Sequence, residues 1–188
     1  MNSQEALKSK KKWFPYNKGG EFRKWYGNQE YLVNWENDGY EIKNFKNAVV
    51  RNPSYYFKES ISWGLITSAG SSFRYFPKGF VYDVSGMSYF LEKNQFNYLG
   101  ILNTKIYSDL TKIINPTINL QIGDILVLPA TEIKNEKFNK LVQQNIDISK
   151  EEWDSRETSW DFEKLSLVDS KDLKSAYENY CNHWRDNF

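Results

Sequence analysis

Residues 61–80 run Ile-Ser-Trp-Gly-Leu-Ile-Thr-Ser-Ala-Gly-Ser-Ser-Phe-Arg-Tyr-Phe-Pro-Lys-Gly-Phe, two stretches alternating apolar with polar residues around Ser68, Ala69, Gly70, Ser71 and Ser72. A period of two sends successive side chains to opposite faces, so each stretch reads as a half-buried strand and the pair as a hairpin. Its tip of small hydroxyl residues and one glycine lets backbone donors come close to a ligand. Arg74 and Lys78 add positive charge, and Trp63, Tyr75 and Phe76 add flat faces. That set of groups suits a nucleic-acid surface. It equally suits an ordinary surface hairpin whose aromatics pack inward, which is where strand aromatics usually go.

The rest of the chain sets what can surround this hairpin. A length of 188 residues is enough for one domain with a real core, or one domain and a helical appendage. The high aromatic share supplies the apolar surface that offsets chain entropy. Residues 1–12 are polar and basic with no apolar stretch, and the longest apolar run, Ile125 to Ala130, is far too short to span a bilayer. The expectation is a cytoplasmic chain with no membrane partner. Cys181 is the single cysteine and His183 the single histidine, which leaves no internal disulfide and no set of soft zinc ligands. Charge is divided unevenly: residues 1–80 carry 13 Lys and Arg against 7 Asp and Glu, whereas residues 131–188 carry 9 against 13. A polyanion would meet the first half.

Taken in order, residues 1–12 are a flexible, partly helical lead-in. A turn dense in aromatics follows from Trp13 to Gly20. Glu30 to Trp35 alternates as a strand and stops at the turn signal Asn37-Asp38-Gly39. Arg51-Asn52-Pro53-Ser54-Tyr55 looks like the turn on which adenine methyltransferases hold a flipped base, but Ser54 stands where a second proline belongs. No Gly-x-Gly element follows a strand, so the loop that would hold S-adenosylmethionine is missing and the stretch reads as a turn with Arg51 toward phosphate. Phe80 to Val84 alternates as a strand. Leu99, Leu102, Ile106, Leu110 and Ile113 then recur at three and four, predicting one long helix over 94–114 with a single apolar stripe. Ile118, Leu120 and Ile122 alternate again, and Asp124 to Leu128 reads as a buried strand.

Beyond Pro129 everything reads as helix, with Ser149 and Glu152 as a capping box and an apolar seam through Leu173, Tyr177, Tyr180 and Trp184. Trp153, Trp160 and Phe162 are assigned to packing between tail and sheet, and Asp154 and Asp161 to caps. The expected fold class is α+β: a curved, mostly antiparallel sheet with a long packed helix over residues 13–130, then a helical spacer or tail over 131–188.

Several blocks resemble a known family. Lys12-Trp13-Phe14-Pro15-Tyr16-Asn17-Lys18-Gly19-Gly20, Asn34-Trp35-Glu36-Asn37-Asp38-Gly39, Ile61-Ser62-Trp63, Phe73-Arg74-Tyr75 with Pro77-Lys78-Gly79-Phe80, Asn115-Pro116-Thr117 with Gln121-Ile122-Gly123-Asp124, and Trp153-Asp154-Ser155 with Glu157-Thr158-Ser159-Trp160-Asp161-Phe162 are similar to the C-terminal half of the PglX family. These are the large adenine-specific DNA methyltransferases of BREX phage-defence systems, also described as methylase subunits of type II restriction enzymes. Residues 99–129 and the helix after them also resemble the closing segment of target-recognition domains in restriction specificity subunits.

The resemblance implies a DNA target-recognition fragment, non-catalytic alone, with no cofactor of its own. S-adenosylmethionine and the methyl-donor domain would lie upstream in the parent protein, and double-stranded DNA and other defence-system subunits would be partners. Arg23, Lys24, Arg51, Arg74 and Lys78 are expected on phosphates. Trp63, Thr67, Ser68, Ser71, Ser72 and Tyr75 are expected near base edges. A protein interaction module docking through the C-terminal helices and an aromatic-rich carbohydrate-binding module are the rival readings.

Overall fold

The computed structural model describes residues 2–66, 68, 70–129 and 131–187, with the side chains of all of these except residues 166, 169, 186 and 187. The class is α+β, and two three-stranded sheets take the place of the single curved one expected from the sequence. The first sheet has β1 (Trp13–Asn17) at its centre, with β2 (Tyr31–Asn34) antiparallel on one side and β5 (Val81–Tyr82) parallel on the other. The second has β3 (Ser60–Gly64) at its centre, antiparallel to both β4 (Arg74–Phe76) and β6 (Gly86–Tyr89).

The hairpin read from the sequence is present as β3 and β4, in the register Ser60 to Phe76, Ile61 to Tyr75 and Ser62 to Arg74. Every residue of β3 is buried, so period two separates two different interiors. Ile61 and Trp63 enter the main apolar cluster with Tyr26, Phe73, Leu99, Leu102, Leu120, Ile125, Leu128, Val142, Ile146 and Trp153. Ser60 and Ser62 point to the opposite face, as alternation requires.

Two short helices precede the hairpin. The lead-in forms α1 (Ser3–Lys8), closed by an Asn2 and Glu5 capping box. After β2 comes α2 (Glu36–Asn44), whose opening passes through left-handed Asn37, Asp38 and Gly39. A Cβ on Gly39 would lie 2.7 Å from the Trp35 ring, so the turn signal marks a place where chain and ring press together.

The long helix expected over 94–114 is broken into α3 (Gln95–Leu102) and α4 (Lys105–Ile114). Thr104 caps the second helix by accepting from the Tyr107 amide, while the Asn103 side chain leaves the helix axis to bind elsewhere. The apolar spacing runs straight across this break, which is why periodicity alone could not show it. Residues 124–128 are not a strand: α5 (Ile122–Leu126) forms there because Asp124 accepts from the Gln121 amide at 2.8 Å, closing a cap. A short apolar run fits either period, and the cap decides.

The first tail helix, α6 (Glu136–Asp154), belongs to the main core through Val142, Ile146 and Trp153. It approaches α3 so closely that a Cβ on Gly100 would lie 2.4 Å from Val142 Cγ2. Its cap is Asn135, and Ser149 and Glu152 fall inside it and cap nothing. Asp154 and Asp161 are likewise not caps: both accept from Lys150, and Asp154 also accepts from Ser159. Trp160 stacks on Phe80 as tail-to-sheet packing. After turns and a one-turn 3-10 helix (Ser166–Asp169), α7 (Leu173–Asn187) ends the fold. Among the described residues no helix is long and apolar enough to cross a membrane.

Candidate nucleic-acid interface

The loop joining β3 to β4 is held at both feet and open at its tip. At the β3 foot, the Leu65 amide donates to the Ser85 carbonyl at 3.0 Å and the Leu65 carbonyl accepts from the Leu120 amide at 2.9 Å. Ile66 then pairs with Asn119 as an isolated antiparallel bridge. At the β4 foot, Asn103 acts as a surrogate strand. Its Oδ1 accepts from the Phe73 amide at 3.1 Å and its Nδ2 donates to the Phe73 carbonyl at 2.8 Å. An amide side chain that satisfies both backbone groups of one residue fixes it as a sheet neighbour would.

A second segment, residues 21–25, is laced to the free edge of β4. The Trp25 amide donates to the Phe73 carbonyl, and the Tyr75 amide donates to the Trp25 carbonyl. Arg74 completes the attachment, with its Nη1 donating to the carbonyls of Arg23 at 3.1 Å and Glu21 at 3.4 Å. The guanidinium is 0% exposed, and its Nε and Nη2 make no hydrogen bond within the described chain. Burial, and secondarily the nearby Arg23, lowers its pKa to about 10, so it stays charged at neutral pH.

These two loops enclose an open cleft of about 570 Å³ lined by Gly20, Glu21, Phe22, Gly64, Ile66, Ser68, Gly70 and Ser72. The structure brings Arg23, Ser68, Ser72 and Arg74 to this region but gives them different tasks from those expected. Arg74 is an interior clamp and offers no surface to a phosphate. Trp63 is also 0% exposed, with its indole N–H donating to the Leu120 carbonyl at 2.9 Å and its ring 5.4 Å from that of Phe73. It has no face on which a base could stack.

Ser72 is buried and accepts from the Arg23 amide, and Ser71 Oγ is buried too. Ser68 is exposed at the tip, while Thr67 and Ala69 lie outside the described residues. Arg23 pairs with Glu152 of α6, and its guanidinium lies 5.0 Å from the centre of the Trp153 ring. Lys24 donates to the Asn103 carbonyl at 2.9 Å. Tyr75 donates to Glu59, and burial with that neighbour pushes its pKa up to about 12.

No protein-family model matches the chain. An adenine-specific methyltransferase, BrxX, of Escherichia coli O9:H4 (strain HS) is 42% identical over 97% of this chain. A second adenine-specific methyltransferase, PglX of Lacticaseibacillus casei (strain Zhang), is 36% identical over 86% of it. This chain belongs to the BrxX and PglX family. It spans 15% of the first relative and 14% of the second, so it corresponds to a small part of each.

Within this BrxX/PglX segment the remaining predicted site residues lie elsewhere. Arg51 is exposed at a separate cavity lined by Tyr16, Trp35, Tyr56 and Asp83, and Lys78 lies beside α1 in a third, with Asn2 and Tyr55. Asn52 is left-handed and starts a one-turn helix, and the exposed Tyr55 ring touches Phe90 and the Lys58 ammonium.

Sequence reasoning missed Asn103, which anchors the loop, and the exposed Phe22 and Ile66 around the tip. The Asn103-Thr104 pair did carry a signal, since a threonine before a renewed apolar period is a helix start. Nothing in the local sequence marked the partner of Asn103, which lies thirty residues away.

Proposed function

We propose that this chain is the DNA target-recognition part of a larger S-adenosylmethionine-dependent adenine-specific DNA methyltransferase, and that methyl transfer belongs to the rest of that polypeptide. The observation carrying the reading is the loop over 65–73. Its feet are fixed by Asn103, Arg74 and the Leu65 backbone bonds, while its tip opens on a cleft. A rigid base under a projecting loop is what sequence readout requires, because a loop that must be ordered on binding loses affinity to that ordering. Affinity would come from exposed cations elsewhere on the chain, among them Lys18, Arg51 and Lys78, and would be shared by all duplexes.

S-adenosylmethionine does not fit the residues present. Nucleotide-like cofactors sit on a glycine turn that leads from a parallel strand into a helix. Between the strands here, the parallel pairing is the two-residue register of β1 with β5, and Gly19-Gly20 leads into an irregular loop. The reading therefore places the cofactor, together with the methyl-donor domain, in the rest of the parent protein, with DNA and other defence-system subunits as partners. A second reading, a protein-docking module, draws on the exposed Leu173 and Tyr177 of α7 and Ile106 and Ile113 of α4.

Titrating the purified chain against labelled duplex DNA over a range of salt concentrations tests the proposal. Binding should weaken linearly on a log-log salt plot, and Arg51→Gln and Lys78→Gln should each reduce the slope by about one. No duplex binding, or binding indifferent to salt, would remove the proposal and leave protein docking.

A further inference from the structure

Two large apolar side chains from two separate segments meet at the tip. Phe22 is 51% exposed and Ile66 63%. Both line the same cleft, and Ile66 is held there by its bridge to Asn119. Single exposed apolar residues need no explanation, but two that face one cleft on a rigid base mark a contact surface. Around them stand Gly20, Gly64, Gly70, Ser68 and Ser72, which leave the apolar groups unobstructed.

The cleft's charge narrows what it can meet. Among the described residues no lysine or arginine lines it, so it is not built for phosphate. The ionisable group among them is Glu21, whose exposed carboxylate is an acceptor. On the major-groove edges of base pairs, the one aliphatic group is the thymine C5-methyl, and the donors are the amino groups of cytosine and adenine. Guanine presents only acceptors there and would be repelled by a carboxylate.

Resting on the duplex-reading function proposed above, we infer that this cleft reads base edges directly. Phe22 and Ile66 hold a thymine methyl group between them, and Glu21 accepts from the amino group of an adjoining cytosine or adenine.

Removing one methyl group from the DNA isolates the contact. The chain is used to select preferred sites from random duplexes, and the best site is then remade with deoxyuridine for each thymine. Wild type should lose about fourfold in affinity per contacted methyl. Ile66→Ser and Phe22→Ser should bind thymine and uracil versions alike, with unfolding midpoints near wild type because both positions face water. Glu21→Gln should relax discrimination against guanine at the adjoining position.

If wild type selects a site but binds its uracil form equally well, the thymine contact is wrong and duplex reading stands. The contact is equally wrong if the serine variants keep the full thymine preference. If no duplex is bound or enriched at all, the duplex-reading function itself fails and takes this inference with it.

Discussion

Trp63 and Phe14 are both sealed from solvent, yet their surroundings differ in kind. Trp63 stands in a cluster drawn from β3, α3, α5 and α6, and its indole is tied to Leu120. Phe14 stands in a smaller cluster of Ala6, Trp35, Tyr56, Phe57 and Val81, joined by edge-to-face ring contacts with Phe57 at 5.6 Å and between Trp35 and Tyr56 at 5.1 Å. The smaller region also carries most of the unusual backbone: Lys10, Asn37, Asp38, Asn47, Asn52 and Phe57 all have positive φ. A buried phenylalanine in that conformation stores strain that its packing must overcome. The larger region is the rigid support of the cleft, and the smaller is held more by rings than by depth.

Removing either ring tests the contrast, and these are the largest effects expected. Trp63→Ala should cost about 3–5 kcal/mol, a large part of a typical domain's stability, and should lower the whole unfolding transition. Phe14→Ala deletes a comparable ring but should open the smaller region alone. Hydrogen exchange would then speed up in β1 and β2 while α3 and α6 stay protected. Equal loss of protection in both regions would show that they unfold as one.

A buried side chain joins the two sheets. Asn17 Nδ2 donates to Ser62 Oγ at 2.6 Å, and Asn17 Oδ1 accepts from the Gly19 amide at 3.1 Å. A Cβ on Gly86 would fall 2.4 Å from Asn17 Oδ1, so glycine is required for the approach. Asn17→Ala leaves the buried Gly19 amide without its acceptor, while Ser62 keeps its bond to the Met87 carbonyl, and should cost about 1–3 kcal/mol. If the node couples the regions, calorimetry should then resolve two transitions in place of one.

What the sequence could disclose follows from how local each feature is. The β3 and β4 hairpin was legible because period two is written into residues 61–64 and 73–76 themselves. Which face of β3 met which interior was not, because both faces are buried and the pattern is the same either way. Basic residues were legible as charges but not as free charges: Arg23 belongs to Glu152, and Arg74 to two carbonyls. Those partners are set by tertiary folding, and no spacing along the chain encodes them.

The Arg23 and Glu152 pair supplies a smaller test, confined to the larger region. Burial alone would raise the Glu152 carboxyl, but hydrogen bonds from Arg23 and Arg156 outweigh it and leave its pKa below the ordinary glutamate range. A carboxylate lowered by folding contributes stability that is complete above its unfolded pKa, roughly 4.3, and lost as pH falls through the folded value. Glu152→Gln should therefore lower stability at neutral pH and flatten the acid limb of the stability curve, so that variant and wild type converge as pH falls through the folded value. Urea unfolding at stepped pH measures it, and an unchanged acid limb would mean that this pair is too exposed to matter.

The smallest effect separates the two helices that the sequence had merged. Leu99 is fully buried, whereas Ile106 is 70% exposed and Ile113 77% exposed, although all three share one apolar spacing. The break at Asn103 and Thr104 turns the second helix so that Ile106 and Ile113 meet water while Tyr107 and Leu110 pack against the core. Isoleucine and serine have nearly equal helix propensities, so Ile113→Ser changes neither the helix nor any buried surface. It should stay within about 0.5 kcal/mol of wild type, while Leu99→Ala should cost about 2–5 kcal/mol. A large loss for Ile113→Ser in the isolated chain would mean that the stripe is continuous after all and α4 packs inward. If instead the loss appears only when the segment stands in place of its counterpart in a full-length relative such as BrxX, the exposed face of α4 is a docking face, and the second reading of this chain gains its partner.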